Sequence, residues 1–385
     1  IKEDLTWLGL HWDRVERQSE RLDQYHAAAK ELRDNGRFYE AFETPTELDL
    51  KRKKQLNMGR PPVYDRAALA LSDEARAALR AERGDGVWRF RLDHQRVEWT
   101  DGILGDLSVD AASVSDPVLI RADGQVLYTI ASVVDDTEMG VTDIVRGSDH
   151  VTNIATQIEI IEALGGTRPA FSHHSLLTGP GGESLSKRLG TMALRDLRAA
   201  GVEPMAILSL MARLGSADPV EIRTSHEELI DGFDISRFGS APTKFDAEDL
   251  KPLSARVLAG LPADAVADDL TAAGVPAGDH AAFWAVVHDN VATRAEIADW
   301  RAVFAGEVEP QVAEEDREFV AQALSMLGDP AYDGDTWANW TGAVKEATGR
   351  KGKGLFMPLR LAVTGRARGP EMADMMPLLK VKPKI

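Results

Sequence analysis

Apolar residues at helical spacing open the chain. Ile1, Leu5 and Leu8 recur every three or four positions, and Gly9 stops that helix. Leu22, Tyr25, Ala29 and Leu32 mark a second amphipathic helix, stopped by Gly36. Residues 41–62 are polar and charged. The period then falls to two: Trp88, Phe90 and Leu92 share one face and Arg89 and Arg91 the other, so residues 87–92 read as a strand. Two apolar runs, 118–120 and 126–128, flank Asp123-Gly124, a favoured hairpin turn. Residues 143–146 read as a short strand. Ser148 suits the N-cap of a helix whose stripe is Val151, Ile154, Ile158, Ile161 and Leu164, ended by Gly165-Gly166. Pro204 suits the first position of another, with Ile207, Leu210, Met211 and Leu214 following and Gly215 at the stop. From about Asp246 onward the chain reads as helices joined by Gly, Pro and Asp, and its Ala-rich stretch 263–273 fits a bundle.

A strand, a short loop and a helix is the α/β pattern, and ligands in such sheets sit beyond the carboxyl ends of strands. Arg146 stands at such an end. Its location, rather than its charge, makes it a candidate site residue. An ion pair with Asp143 or Asp149 is the bland alternative.

Composition narrows the possibilities. A length of 385 residues accommodates two to four domains, and 44% hydrophobic content is ample for cores. The chain has no cysteine, which excludes disulfides, thiolate zinc sites and a cysteine nucleophile, and fits a reducing compartment. No run of 18 or more apolar residues occurs, so no membrane span is expected. The start, Ile1-Lys2-Glu3-Asp4, does not read as a signal peptide. The net charge of −17 argues, taken alone, against nucleic acid. Its distribution argues otherwise. The last segment carries Arg350, Lys351, Lys353, Arg360, Arg366, Arg368, Lys380, Lys382 and Lys384 against only Glu371 and Asp374, and a second basic cluster is Lys51-Arg52-Lys53-Lys54.

The chemistry-bearing segment is the glycine-rich stretch 179–188. It sets Ser186, Lys187 and Arg188 side by side where backbone N–H groups and charge together can hold a polyphosphate. The P-loop spacing is absent. His173 and His174 cannot share one face of a strand, and no third ligand lies at metal spacing, so no metal site is expected. Asp135-Asp136 could bind magnesium, but adjacent carboxylates at a strand end usually face solvent or cap a turn. No G-x-S-x-G nucleophile motif occurs.

The order of these pieces adds specificity. Residues 128–136 (YTIASVVDD), 139–150 (MGVTDIVRGSDH) and 184–188 (SLSKR) closely resemble the catalytic half of glutamyl-tRNA synthetases, which are class I aminoacyl-tRNA synthetases. The likeness extends back to 5–10 (LTWLGL) and 17–21 (RQSER), and forward to 351–360 (KGKGLFMPLR) and 361–366 (LAVTGR), nearly the whole chain in order.

The resemblance implies an α/β, Rossmann-like catalytic domain with an α+β insertion, followed by an all-helical anticodon-binding region. The expected divisions are 1–18, a remnant of the first catalytic half; 19–131, the acceptor-stem insertion; 132–185, the second catalytic half; 186–245, a stem-contact region; and 246–385, the helical end. It implies ATP-dependent activation of L-glutamate to glutamyl-adenylate, then transfer to the 3′ end of tRNA(Glu), with tRNA(Gln) as a second candidate. ATP enters with Mg2+. Lys187 is the expected catalytic residue. Ser184, Leu185, Ser186, Arg188, Asp149 and Leu177 are expected at ATP, and Tyr128, Ser132 and Arg146 at glutamate. A buried Arg–carboxylate pair loses roughly 3–5 kcal/mol when one partner goes, which could reject glutamine's neutral amide. A cytoplasmic monomer is expected.

Three departures from the family pattern stand out. The N-terminal phosphate motif with its two histidines is absent, so the chain reads as beginning after it. Ser184 stands where the first lysine of the K-M-S-K-S-like loop is usual. The zinc-binding cysteines of some members, around Phe42 to Pro45, are missing, so no zinc is expected. The rival readings are a tRNA-binding fragment or paralogue without catalysis, and a glutamyl-transferring tRNA-modifying enzyme. The latter lack the helical end that this chain carries.

Overall fold

The computed structural model describes residues 1–183 and 193–384. Helix α1 (Lys2–Trp7) is short, as its apolar spacing requires. Helix α2 (Leu22–Asp34) buries Tyr25, Ala28, Ala29 and Leu32, a stripe of the expected period. It leads to β1 (Phe38–Ala41). The polar segment that follows holds a helix that apolar periodicity does not announce. Helix α3 (Pro45–Asn57) buries no residue and rests on local signals: Thr44 caps it, Glu47 closes a reciprocal capping box, and Pro45 opens the first turn. Helix α4 (Asp73–Arg83) is capped by Ser72.

Strand β2 (Val87–Phe90) pairs antiparallel with β1 and with β5 (Val118–Ile120), giving a sheet of order β1-β2-β5. Between β2 and β5, strands β3 (Arg96–Asp101) and β4 (Gly105–Asp110) form a hairpin. They join β6 (Asp143–Gly147) and β7 (Ala170–His174) in a second sheet of order β4-β3-β7-β6, in which β7 lies parallel to both β3 and β6. Strands from within 19–131 therefore share a sheet with strands from within 132–185.

The structure corrects three expectations here. Of the run 126–128 only Val126 bridges back to Ile120, and Tyr128 instead begins helix α5 (Tyr128–Glu138). Asp135 and Asp136 therefore lie on a helix, not at a strand end, and Asp135 is buried. The apolar run Ile130, Ala131, Val133, Val134 suits a strand locally, but all four are buried in the core shared with α2, and that burial decides the conformation. Ser148 does not cap a helix: residues Ser148–Asn153 form a 3₁₀ turn and helix α6 (Ile154–Ala163) starts after it. Arg89, on the face of β2 opposite Trp88 and Phe90, is buried; it donates to the Asp116 carbonyl at 2.7 Å and lies over the Tyr64 ring at 4.1 Å.

Helix α6 buries Ile154, Ile158, Ile160 and Ile161. Beyond it, β8 (Leu177–Thr178) pairs parallel with β9 (Thr243–Lys244), and α7 (Leu194–Ala199), α8 (Pro204–Met211) and α9 (His226–Asp231) lie between. The chain then turns all-helical: α10 (Leu250–Ala259), α11 (Ala267–Ala272), α12 (His280–Val287), α13 (Glu296–Phe304), α14 (Arg317–Ser325), α15 (Thr336–Thr348), α16 (Lys353–Thr364) and α17 (Met372–Met375). These helices close around one large core that includes Trp284, Trp300, Trp340, Leu355 and Met375. Among the described residues no helix is long and apolar enough to cross a membrane.

Candidate active site

Register brings the first two site groups together. Arg146 on β6 and His173 on β7 are partners across a parallel pair, so their side chains leave the same face near the carboxyl ends of both strands. Helix α5 packs against α6 and supplies Tyr128 and Ser132 from its first turn or so, while α6 supplies Gln157. The Arg146 guanidinium donates from Nε to His173 Nε2 at 3.3 Å, from one terminal nitrogen to the Tyr128 hydroxyl at 3.4 Å, and from the other to Gln157 Oε1 at 2.5 Å. Gln157 in turn donates to Ser132 Oγ at 3.4 Å. The three residues expected at glutamate thus lie in one hydrogen-bonded cluster.

Every one of these acceptors is uncharged. Among the described residues no carboxylate lies within 4.0 Å of Arg146, so the expected alternative, an ion pair with Asp143 or Asp149, is not formed. Burial pushes the Asp136 carboxyl up from its ordinary value, against the downward pull of the Arg146 charge. The cluster is oriented but not neutralised.

Behind it lies a pair that sequence reasoning missed. The carboxylate of Asp101, at the end of β3, meets His173 Nδ1 at 2.5 Å and accepts from the His173, Ile103 and Leu104 backbone N–H groups at 3.1, 3.1 and 3.0 Å. Both residues are buried. Burial alone would raise the Asp101 carboxyl, but the His173 ring and three backbone donors outweigh it and hold the carboxyl below its ordinary range. Asp101 and His173 stand 72 positions apart, and only the β3–β7 pairing joins them. His173 reads in the sequence as a metal ligand to be dismissed; it serves instead as an acceptor for Arg146.

The residues expected at ATP are placed less closely. The Asp149 side chain is 57% exposed, just past β6, and folds over its neighbour: a Cβ at Gly147 would lie 2.6 Å from Asp149 Oδ1. The Tyr128 and His150 rings are 5.9 Å apart. Leu177 lines an apolar cavity of about 280 Å³ with Ile103, Val145, His174, Leu214 and Phe233. Val145, adjacent to Arg146, opens to this cavity, so β6 serves a polar and an apolar face in alternation. The glycine-rich stretch begins as a tight turn, with Gly182 N–H donating to the Gly179 carbonyl at 2.9 Å and Gly179 N–H to the Glu183 carbonyl at 2.8 Å. Ser184, Leu185, Ser186, Lys187 and Arg188 lie outside the described residues.

Some cationic groups of the helical half are held in ion pairs and others are not. Arg350 stacks over Phe319 at 4.0 Å and pairs with Asp316, and Arg366 stacks over Trp300 at 4.7 Å and pairs with Asp299. Lys351 and Lys353 are exposed at the start of α16 and make no ion pair with a described residue.

Comparison with known proteins accounts for both halves. Residues 1–252 match the family model of the catalytic domain of class I tRNA synthetases (E and Q), and residues 247–381 match that of an anticodon binding domain. The chain is 72% identical over 385 residues to a protein named glutamate–tRNA ligase 2 from Jannaschia sp., covering 100% of this chain and 86% of the relative. It is 70% identical over 381 residues to glutamate–tRNA ligase 1 from Roseobacter denitrificans, covering 99% of this chain and 86% of that relative. The crystal structure of glutamate-tRNA synthetase from Elizabethkingia anophelis superposes with a TM-score of 0.78 at 25% identity, covering 98% of this chain and 85% of that one.

Proposed function

We infer the roles of these residues from one premise: the chain belongs to the glutamate–tRNA ligase family of class I synthetases. The reaction runs in two displacements. A glutamate α-carboxylate oxygen attacks the α-phosphorus of ATP, the new O–P bond forms and pyrophosphate leaves. A terminal ribose hydroxyl of the tRNA then attacks the carbonyl carbon of glutamyl-adenylate, the ester forms and AMP leaves.

Arg146 binds the side-chain carboxylate of the glutamate substrate, with Tyr128 and Ser132 lining the same pocket. The observation that supports this reading is the set of uncharged acceptors around the guanidinium. They orient the cation and leave its charge for an anionic ligand. Glutamine offers a neutral amide at the same position and loses that attraction. The cost of losing the contact is nearer to a charged hydrogen bond than to a fully buried pair, because Arg146 is only half-buried. At about 1.5–3 kcal/mol, Arg146→Ala is expected to raise the glutamate KM in aminoacylation roughly 10- to 100-fold. An unchanged glutamate KM would refute the assignment.

Lys187 neutralises charge on the triphosphate as pyrophosphate leaves, and Ser184, Leu185, Ser186 and Arg188 meet the ATP with it. ATP enters as its magnesium complex, between this loop and the edge formed by Asp149 and Leu177. No zinc is required. The acceptor stem of tRNA(Glu) meets the 19–131 insertion, residues 186–245 make the stem contact, and 246–385 meets the anticodon, with tRNA(Gln) as a second candidate substrate. Residues 1–18 and 132–185 belong to the catalytic domain. The enzyme works as a cytoplasmic monomer.

A further inference from the structure

We propose that Asp101 and His173 form a positioning dyad that aims the Arg146 guanidinium and makes capture of the substrate's side-chain carboxylate depend on the protonation of His173. The inference rests on Arg146 as the carboxylate-binding group.

Donors and acceptors around His173 permit one arrangement. The Asp101 carboxylate takes three backbone N–H groups and lies 2.5 Å from His173 Nδ1. A carboxylate so held accepts, so Nδ1 carries the hydrogen. Nε2 is then left with its lone pair, 3.3 Å from Arg146 Nε, which can only donate. Asp101 thereby fixes the tautomer, and the tautomer fixes one edge of the guanidinium. Gln157 holds a second edge from α6, and the Tyr128 hydroxyl touches the third nitrogen from α5. Close backbone approach makes the dyad possible. Gly102 follows Asp101 and donates to the Phe171 carbonyl at 2.8 Å, and a Cβ at Gly102 would lie 2.3 Å from Ser172 Oγ. A Cβ there would force the Ser172 hydroxyl to turn away.

Protonation reverses the contact. With Nε2 also carrying hydrogen, a donor faces a donor and two positive charges stand side by side. The charged groups facing the ring are Asp101 from β3 and Arg146 from β6, while Asp136 of α5 acts on Arg146 rather than on the ring. Asp101 holds its end of the ring in either state, so Arg146 is the group that moves, and the fork loses its aim.

The glutamate KM in aminoacylation, with ATP and tRNA saturating, tests this between pH 5.5 and 8.5 in the intact protein. The parent is expected to show a KM rising roughly tenfold toward the acid end, on the scale of one charge-assisted hydrogen bond, with kcat changing much less. His173→Gln places a non-titrating oxygen near the Nε2 position; its KM is expected to match the parent at pH 8.5 and to stay flat on acidification. His173→Ala is expected to give a raised KM throughout. A parent KM that is flat with pH, or a His173→Gln profile that follows the parent's, overturns the dyad. Arg146→Ala separates the two failures. If it leaves KM unchanged, the carboxylate reading itself falls; if it raises KM while His173→Gln still tracks the parent, only the dyad falls. The parent profile requires no variant to fold.

Discussion

Replacing Asp116 with asparagine changes one buried charge and almost no shape. Asp116 sits just before β5 and is 1% exposed. Its carboxylate accepts from Arg66 twice, at 2.7 and 2.8 Å, from the Tyr39 hydroxyl at 2.6 Å and from the Leu92 backbone N–H at 3.1 Å. These donors come from β1, from the end of β2 and from the loop at Arg66, so one carboxylate ties together every strand of the β1-β2-β5 sheet. Arg66 is held with φ +57°, a conformation that a non-glycine residue adopts only against a local cost, and its donation to the Leu92 carbonyl at 2.6 Å helps keep it there. Burial comes first among the causes that push the Tyr39 hydroxyl far above its ordinary range, and the Asp116 carboxylate adds to it, so the tyrosine remains a donor.

An asparagine at 116 turns one acceptor oxygen into an N–H₂ group that faces donors. Breaking a buried charge pair costs roughly 3–5 kcal/mol. The Arg66 side chain keeps 21% of its exposure, so water compensates part of the loss and the lower end applies. About 3 kcal/mol corresponds to a roughly 100- to 200-fold rise in the opening equilibrium. Amide hydrogen exchange reads it locally, which suits a chain of several separate cores where one global unfolding energy is ill-defined. Amides in 38–41, 87–92 and 118–120 are expected to exchange faster by that factor. Those of the helical core around Trp300 and Trp340 are expected to keep parent rates. Exchange in the sheet within about fivefold of the parent would show that the carboxylate does not hold it. Equal acceleration in both cores would show that the two halves do not open separately.

The other predictions concern the nucleotide and the tRNA. Lys187→Ala is expected to lower the adenylation rate about tenfold or more, measured by ATP–pyrophosphate exchange with tRNA present, while tRNA affinity changes little; equal exchange in variant and parent would remove Lys187 from the mechanism. Gly147→Ala places a Cβ 2.6 Å from Asp149 Oδ1 and 3.0 Å from Leu176 Cδ2, so Asp149 must move, and the KM for ATP is expected to rise more than that for glutamate. A rise confined to glutamate would argue that Asp149 does not meet the nucleotide. Binding of tRNA should fall about 10²-fold between 50 and 200 mM salt if about four phosphates are contacted; a flat salt response would exclude the basic surfaces as its seat.

What the sequence discloses depends on whether a signal is local. The stripes of α2 and α6 and the proline-led start of α8 are legible because apolar residues recur at helical spacing and a glycine follows each within a few residues, even though α6 is buried nearly all round. Helix α3 has no buried face, so periodicity misses it. Its signal was present in Thr44, Pro45 and Glu47 as a capping pattern. Helix α5 misleads for the opposite reason. Its β-branched residues favour a strand locally, and only the bodies of α2 and α6 against it make a helix the better burial. Arg146 is recoverable because the end of a strand followed by a helix marks a site in α/β sheets. Asp101 and His173 are not recoverable, because their contact depends on which strands lie next to β7. Nothing within either local segment encodes that order.

The same logic explains how a chain of net charge −17 keeps one arginine unneutralised. Asp135 lies on α5, one helical turn beyond Ser132, among the site's own elements. Left without partners it would compete for Arg146. Instead it is buried against α2, where Arg21 Nε donates to it at 2.7 Å, Gln18 at 2.9 Å and the Tyr25 hydroxyl at 3.0 Å. Glu138, one turn further on, takes another nitrogen of Arg21 at 2.5 Å. Asp101 is spent on His173 and three backbone donors. Asp135, Glu138 and Asp101 are thus each engaged elsewhere, and Asp136, whose charge acts on Arg146, makes no ion pair with it, while Arg146 receives only neutral acceptors. A guanidinium already paired with a carboxylate would require a glutamate substrate to displace that partner. One held by an imidazole, an amide and a phenol keeps its geometry and its charge, and it is the charge that separates glutamate from glutamine.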